Sequence, residues 1–211
     1  MTVPLPVAIA HLDESCLGNG REGETPGGAG ALVETRAGGA LVRRDVYISS
    51  PDTTNNRMAL SGAIAVLQLM SAKGKRIRAL LVSDSEYLVR GMREWVPGWI
   101  SRGWTRKAGA IENLPLWQAL VASAADHDVQ FTWVRGHSGH PKNEFVDHLA
   151  VRAAREQITS DGLVSSGFEE WLEKERARNR YSDYDPAAAY AALERRVAAG
   201  EHFPLDAGSI Q

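Results

Sequence analysis

The order in which strand-like and helix-like segments follow one another constrains the fold of this 211-residue chain most strongly. Three segments with strand character come first, VAIAHLD (Val7 to Asp13), ALVETRA and ALVRRDVYIS, and glycine-containing turns separate them. The period then changes, because the apolar residues between Arg57 and Lys73 recur at helical spacing after a capping residue at Thr54 or Asn55. This order predicts an antiparallel meander followed by α/β units.

The remaining segments continue the alternation of helix and strand. A short apolar strand, IRALLVSD, ends at Asp84, and the helical stretch SEYLVRGMREWVPGWISRGW that follows has a predicted break around Pro97–Gly98. A helix in LPLWQALVASAA, a strand in VQFTWV and a long helix ending in AVRAAREQI complete the pattern. The pattern predicts an α/β fold in which a five-stranded mixed sheet is flanked by helices.

The character of the sequence changes near Thr159. We assign residues 1–158 to the α/β domain and residues 159–211 to a helical C-terminal extension. The stretches SSGFEEWLEKERARNR and PAAAYAALERRVAAG are the two predicted helices of the extension, and Asp185 followed by Pro186 is a favourable start for the second. We expect these helices either to pack on the main domain or to be loosely tethered to it.

Composition and charge restrict the class of protein. The content of 44% hydrophobic and 24% charged residues is that of a folded globular protein, and a net charge of −2 means that a nucleic-acid partner would have to be met by a local basic patch. We find no apolar run near the roughly 20 residues that span a bilayer, nor a secretory signal. A single cysteine, Cys16, fits a reducing compartment. We therefore expect a cytoplasmic protein that does not insert into membranes.

Three aspartates stand where elements of one sheet can bring them together. Asp13 and Asp84 each end a predicted strand, and Asp147 lies on the last helix of the α/β domain, soon after a loop rich in histidine and glycine. Taken singly, each is more often a helix cap or a surface charge. Together they offer hard oxygen ligands without the cysteine or histidine spacing of a zinc site, which favours Mg²⁺ or Mn²⁺.

Five stretches together resemble the type 1 ribonucleases H, in family order and at family-like spacing, over roughly Val7 to Ala154: LDESCLGN, TTNNRMAL, SDSEYLVRGMREWVPGWISRGW, IENLPLWQAL and WVRGHSGHPKNEFVDHLA. The resemblance implies a ribonuclease H-like fold. It also implies an enzyme that uses four carboxylates and two divalent ions to hydrolyse the RNA strand of an RNA–DNA hybrid. On this resemblance Asp13, Asp84 and Asp147 are metal ligands, and His137 in the GHSGH loop assists proton transfer or product release.

The resemblance further implies a surface that binds the hybrid. The positions matching family contacts to sugars and bases are Asn19, Asn55, Asn56 and Glu86. Glu86 replaces a typical glutamine and thereby a hydrogen-bond donor. The remaining matches are a DNA-phosphate pocket and a helical protrusion that grips the DNA strand: Thr54 and Asn113 for the pocket, and Trp95, Trp99 and Trp104 for the protrusion. The protrusion is only modestly basic, so we expect modest, salt-sensitive affinity for the hybrid. We also expect the chain to be a monomer.

One family carboxylate is missing, because Ala59 follows RM in TTNNRM where the family has a glutamate. The family's usual DGS is DES here, which places an extra acid, Glu14, beside Asp13. The simple interpretation of Glu14 is a solvated charge at a turn. We prefer relocation, in which Glu14 is the fourth catalytic acid and metal ligand, although strand alternation points neighbouring side chains to opposite faces unless a bulge or strand end intervenes.

Three alternatives stay open beside this interpretation. The chain could be a hybrid-binding module without cleavage, or Ala59 could be an engineered substitution. A nuclease of the same fold that acts on other nucleic acids is the third.

Overall fold

The computed structural model describes residues 4–18, 25–72 and 74–206. The strands are β1 (Val7–Cys16), β2 (Gly27–Ala37), β3 (Ala40–Ser50), β4 (Arg78–Ser83), β5 (Asp128–Trp133) and the short β6 (Val164–Ser165). The α-helices are α1 (Asn55–Ser71), α2 (Glu86–Arg90), α3 (Val96–Ser101), α4 (Leu114–Ala125), α5 (Pro141–Glu156), α6 (Phe168–Arg176) and α7 (Pro186–Ala198). None of the helices in the described ranges is both long and apolar enough to cross a bilayer.

The strands form one mixed sheet in the order β5-β4-β1-β2-β3-β6. β2 pairs antiparallel with β1 and β3, whereas β4 pairs parallel with β1 and β5. The α/β prediction is confirmed, but the predicted number of five strands was wrong. The sixth strand lies in the predicted helical extension, where Val164 and Ser165 pair with Asp45 and Arg44 of β3. Two residues are too few to show strand periodicity, and the pairing arises because β3 offers unpaired backbone groups at its edge.

Helices cover both faces of the sheet. α1 and α4 pack on one face over a core that includes Leu12, Leu60 and Leu120. On the other face α5 lies directly on β2, and glycine makes this approach possible: a Cβ atom on Gly28 would lie 2.3 Å from the carbonyl oxygen of Ala150. The close packing fixes where α5 runs relative to the strand ends.

The predicted break near Pro97–Gly98 takes the form of a local widening just before the proline. α2 and α3 are joined by a π-helical turn, Gly91–Trp95, and the N–H of Val96 donates to the carbonyl of Gly91. In a regular α-helix the ring of Pro97 would clash with the carbonyl of Arg93, four residues earlier. The wider turn avoids that clash, so the helical protrusion continues instead of breaking.

The C-terminal extension packs on the main domain. In α6, Phe168 and Leu172 are buried with Phe145 of α5. In α7, Tyr190 and Leu193 are buried with residues of β1 and β4. Of the two expected arrangements, the structure therefore has the packed one. The boundary between residues 158 and 159 stays a prediction.

The last described residues run along the outer edge of β5. The backbone N–H of Trp133 donates to the carbonyl of Leu205 over 2.8 Å, and Trp133 forms a parallel bridge with Asp206. The side chain of Gln130 donates to the carbonyl of Glu201 and accepts from the N–H of Phe203. The extension thus covers the β3 edge through β6 and the β5 edge through residues 201–206.

Candidate active site

Three carboxylates meet where β1 and β4 separate. The two strands pair from Val7 and Arg78 as far as Leu12 and Ser83. Asp13 and Glu14 come next on β1, and Asp84 follows β4 directly. Within the described ranges they form one group that could hold a metal ion, in which one carboxylate oxygen from each lies within 4.8 Å of the others.

Asp13 and Glu14 leave β1 on opposite faces, as strand alternation predicts. Asp13 is opposite Gly30 and Glu14 is opposite Ala29 in the antiparallel pair with β2, and directly opposed residues share a face. A Cβ atom on Gly30 would touch α5, whereas a Cβ atom on Gly62 of α1 would lie 2.8 Å from the Cβ of Ala29. Asp13 therefore faces α5 and Glu14 faces α1.

The α1 side is the side on which Ala59 stands. Ala59 is buried in α1, and its methyl group leaves the site without an acid from that helix. Glu14 starts on the same side, and its longer side chain brings a carboxylate oxygen to the group that contains Asp84. Strand alternation therefore does not keep Glu14 out of the site. β1 and β4 are no longer paired beyond Leu12 and Ser83, and the Glu14 carboxylate lies near Asp84 although its side chain starts on the α1 face.

Asp147 approaches the cluster from α5. It does not belong to the group of three, yet its charge contributes to raising the pKa of Asp13 and of Asp84. All four acids named in the sequence are thus near one another, with Asp147 the only one carried by a helix.

The acids are mutually repulsive and partly desolvated. Burial, followed by the charge of Asp84, raises the pKa of Asp13 to about 9. Burial and the same neighbour raise the pKa of Glu14 to about 8, against a hydrogen bond from Ser85 that lowers it. Burial also raises the pKa of Asp84, opposed first by a hydrogen bond from Asn143. Such a set of hard oxygen donors with excess negative charge fits divalent Mg²⁺ or Mn²⁺.

Asp84 is held by residues that the sequence reasoning missed. Asn143 Nδ2 donates to Asp84 Oδ2 over 3.1 Å, and Trp133 Nε1 donates to the Asp84 carbonyl over 2.8 Å. At Gly136 a Cβ atom would lie 2.3 Å from Asp84 Oδ2, so the loop passes very close to the carboxylate. The available signal was the spacing of Asn143 and Asp147, one helical turn apart on the same face of the predicted helix.

The two histidines of the GHSGH loop differ in their surroundings. His137 is exposed, has a left-handed backbone with φ of 51°, and its charge lowers the pKa of Asp84. His140 caps α5, since its Nδ1 accepts from the N–H of Asn143 over 3.3 Å. His140 therefore has a structural role, whereas His137 lies next to the acids.

Part of the predicted hybrid surface lies at the start of α1. Thr54 caps that helix, and its Oγ1 accepts from the N–H of Arg57 over 3.3 Å. Asn55 and Asn56 are half-buried in the first turn, and the buried Oδ1 of Asn55 has no hydrogen-bond partner among the described residues. Asn19 lies outside the described residues.

Two further predicted contacts start other helices. Glu86 is exposed in α2, where its carboxylate lies 3.7 Å from Arg90. Asn113 precedes α4 with φ of 54°, and its Nδ2 donates to the hydroxyl of Tyr87 over 3.2 Å. The side chain of Asn113 is thus already engaged in packing the protrusion against α4.

The tryptophans of the protrusion are largely packed. Trp95 and Trp99 form an aromatic cluster with Trp117, and the ring centroids of Trp99 and Trp117 are 5.7 Å apart. Trp99 is only 8% exposed, while Trp95 and Trp104 are half-buried. A groove of about 510 Å³ runs over the cluster and includes Arg102 in its lining.

The comparisons with known proteins agree with this architecture. A family model described as RNase H matches residues 7–155. Ribonuclease H of Methylococcus capsulatus is 40% identical over 159 residues, covering 75% of this chain and 96% of that protein. Ribonuclease H of Pseudomonas paraeruginosa is 43% identical over 150 residues, covering 70% of this chain and 93% of that protein.

Solved structures show the same relationship. One described as "LC9-RNase H1, a type 1 RNase H with the type 2 active-site motif" is 54% identical, with a TM-score of 0.75, and the match covers 81% of this chain and 82% of that one. LC11-RNase H1 in complex with an RNA/DNA hybrid is 19% identical, with a TM-score of 0.52 over 71% of this chain and 98% of that one, and shows the fold alone. The chain therefore belongs to the type 1 ribonuclease H family of enzymes.

Proposed function

We propose that this chain hydrolyses the RNA strand of RNA–DNA hybrids with an acidic site in which Glu14 replaces the acid missing at Ala59. The observation that carries the proposal is the clustering of carboxylate oxygens from Asp13, Glu14 and Asp84 within 4.8 Å. A relative at 54% identity, described as a type 1 enzyme with the type 2 active-site motif, supports it, because that protein also departs from its own family in the active site.

The four acids would hold two divalent ions, Mg²⁺ or Mn²⁺, with Asp13, Glu14, Asp84 and Asp147 as ligands. When bound, such ions activate the attacking water and stabilise the leaving oxygen. Asn143 orients the Asp84 carboxylate through its 3.1 Å hydrogen bond. His137 stands beside the acids with an exposed imidazole that can carry a proton to or from solvent.

The substrate contacts remain proposals that follow from the family resemblance. The residues concerned are Asn19, Thr54, Asn55, Asn56, Glu86, Trp95, Trp99, Trp104 and Asn113. The unpaired Oδ1 of Asn55 supports a contact at the start of α1, since a buried amide oxygen without a partner is costly. The ribonucleases H that are 40% and 43% identical to this chain support the substrate class. A monomeric state and a cytoplasmic location likewise remain predictions.

Cleavage of a labelled RNA–DNA hybrid, with Mg²⁺ and then with Mn²⁺, tests the proposal. The unchanged chain should cut the RNA strand. Glu14→Ala should lose at least about 10-fold in rate, because the loss of a residue that merely orients a metal ligand already costs that much. Glu14→Gln, which keeps the shape without the charge, is the matched variant. Double-stranded RNA and DNA serve as substrate controls, and cutting them equally well would indicate a general nuclease.

The Ala59→Glu variant separates the remaining alternative. If the unchanged chain binds the hybrid without cutting it while Ala59→Glu cuts, the protein is a hybrid-binding module whose chemistry was lost with that acid. If the unchanged chain cuts and Glu14→Ala does not, the acid has moved from α1 to β1.

A further inference from the structure

The fourth acid reaches the site by a different route from the other three. Asp13, Glu14 and Asp84 follow directly on Leu12 and Ser83, the last paired residues of β1 and β4, so the sheet holds them close together. Asp147 is carried by α5, and its oxygens lie outside the group of three. The distance of Asp147 from the cluster therefore depends on how α5 is held.

The C-terminal extension contacts the first turns of α5, and its helix α6 shares one buried cluster with α5 and Leu32 of β2. Phe145 of α5 packs against Phe168 and Trp171 of α6, with ring centroids 5.3 and 5.6 Å apart. Glu144, the preceding residue, accepts a hydrogen bond from Arg180 in the segment that follows α6. Apolar packing and an ion pair thus act on the same turn of α5.

Arg180 joins two acids on different helices. Its Nη1 donates to Glu175 Oε2 over 2.6 Å, and its Nη2 donates to Glu144. Glu175 is only 4% exposed and is fixed in α6. A planar guanidinium that bonds two carboxylates restrains both in distance and in orientation, so Arg180 links α5 to α6 more rigidly than a lysine would.

The link acts on the face of α5 that carries the metal ligand. Glu144 and Asp147 are three residues apart on the helix, so they lie on neighbouring parts of one face. Asn143, which donates to Asp84, is in the same first turn. Rotation or tilting of that turn would move Asp147 and the Asn143 amide together.

We propose that Arg180 is a positioning residue for the metal site. By bridging Glu144 to Glu175 it fixes the first turns of α5 and thereby places Asp147 beside the cluster formed by Asp13, Glu14 and Asp84. This inference rests on the proposed function, because it requires that the acids bind divalent ions.

Titration calorimetry of the full chain with Mn²⁺ alone tests the inference. Arg180→Ala should weaken Mn²⁺ binding about 10-fold, the usual cost of losing a residue that orients a ligand. The same variant should lower kcat for hybrid cleavage with little change in KM, and should speed amide hydrogen exchange in the first turns of α5. Arg180→Lys keeps the charge without the planar guanidinium, so its Mn²⁺ affinity should lie between those of the unchanged chain and Arg180→Ala.

Arg36→Ala is the matched control. Arg36 is similarly exposed and also joins the extension to the main domain, but it lies on β2 and its ion pair is with Glu194 of α7. Equal Mn²⁺ affinities for Arg180→Ala and Arg36→Ala would overturn the positioning role of Arg180 but not the proposed function. An unchanged chain that takes up no Mn²⁺ would overturn the proposed function and this inference with it.

A second variant keeps the test decisive if Arg180→Ala does not fold. Glu144→Gln breaks the charged bridge from the α5 side with almost no change in shape. It should weaken Mn²⁺ binding to a similar extent, and an unchanged affinity in the folded Glu144→Gln protein would contradict the positioning role.

Discussion

At the scale of single residues, the active site depends on Gly136, which has no side chain that could take part in the reaction. Gly136 passes so close to Asp84 that a Cβ atom there would lie 2.3 Å from Asp84 Oδ2. Gly136→Ala should displace this carboxylate and reduce hybrid cleavage by at least about 10-fold, because a small misplacement of a ligand is costly. Cleavage kinetics at saturating Mg²⁺ measure the effect.

Gly139→Ala in the same loop is the control for the Gly136 prediction. Gly139 has a φ of 83°, so alanine is strained there, but nothing lies within 4 Å of its added Cβ. Loop strain alone would make the two variants equally slow, and that result would contradict a direct effect on Asp84.

The raised pKa of Asp13 makes a second prediction at this scale. An aspartate titrates near pH 4 when unfolded, whereas burial and its acidic neighbours raise the pKa of Asp13 to about 9 in the fold. Between these two pH values the native protein therefore binds more protons than the unfolded chain does. The free energy of unfolding is highest below about pH 4 and falls as the pH rises toward 9. The metal-free protein should be destabilised by its own active site at alkaline pH.

Asp13→Asn removes this penalty because an amide does not ionise. The Tm of the metal-free variant should exceed that of the unchanged protein by on the order of 5 °C at pH 9 and by almost nothing at pH 4. Thermal unfolding in the presence of a chelator measures both values, with the exposed Asp183→Asn as the control. A gain that does not change with pH would refute the proposed cause.

At the same scale, the candidate acids could be predicted from sequence better than their supports. Asp13 and Asp84 were found because they end strands that share a sheet. The direction of Glu14 also followed from strand alternation, but its reach did not, because the point where β1 leaves β4 is a property of the assembled sheet. Asn143 was missed because an amide in a helix's first turn has many uses, and only the fold brings it to Asp84.

At the scale of elements, a buried charge network joins β2, β3 and α5. Glu34 of β2 accepts from Lys142 over 2.5 Å and from Arg43 over 2.9 Å, and the Lys142 side chain is 1% exposed. Glu34→Ala would leave the Lys142 charge without its carboxylate partner. We expect a loss of about 3–5 kcal/mol in the free energy of unfolding, the usual cost of breaking a buried pair.

Urea unfolding measures this loss, and an exposed pair supplies the comparison. Glu170 and Lys174 form an ion pair on α6, and both side chains are well exposed. Glu170→Ala breaks this pair and should leave the free energy of unfolding almost unchanged. Similar losses in the two variants would show that burial does not determine the importance of the Glu34 network.

The helical protrusion makes the second prediction at this scale. Trp99 was expected to contact the DNA strand, yet it is 8% exposed and packs against Trp95 and Trp117. Trp99→Ala should therefore lower the free energy of unfolding by about 3–5 kcal/mol, as for other buried aromatic residues. Ile100→Ala, at a neighbouring position that is 48% exposed, is the control. Unchanged stability with weaker hybrid binding would favour the original contact role.

At the scale of the whole molecule, the α/β order was predictable because each long segment has its own period. The residues that cover the edges of the sheet could not be predicted from the sequence. Residues Val164–Ser165 and 201–206 have no strand periodicity of their own, and they are extended because β3 and β5 offer open edges. The packing of α6 and α7 was left open for a similar reason, since an amphipathic pattern shows which face is apolar but not what covers it.

Removal of residues 201–211 should expose the β5 edge. This deletion takes away the backbone partner of Trp133 and the contacts of Gln130. Because an open edge can pair with another chain, the shortened protein should self-associate in a concentration-dependent manner. Light scattering over a range of concentrations measures this, with Gln130→Ala in the full chain as a milder control. A shortened protein that stays monomeric at high concentration would contradict the protective role.

The coverage of both edges also sets an order of events during synthesis. The chain is made from its N-terminus, so β3 and β5 emerge before the residues that lie along their outer edges. At about 5–20 residues per second, the β5 edge waits on the order of ten seconds for its cover. During that interval the growing sheet can join a neighbouring nascent chain. Slow translation of α6 and α7 would lengthen this exposure, so the yield of folded protein should depend on how quickly the ribosome passes through the last quarter of the message.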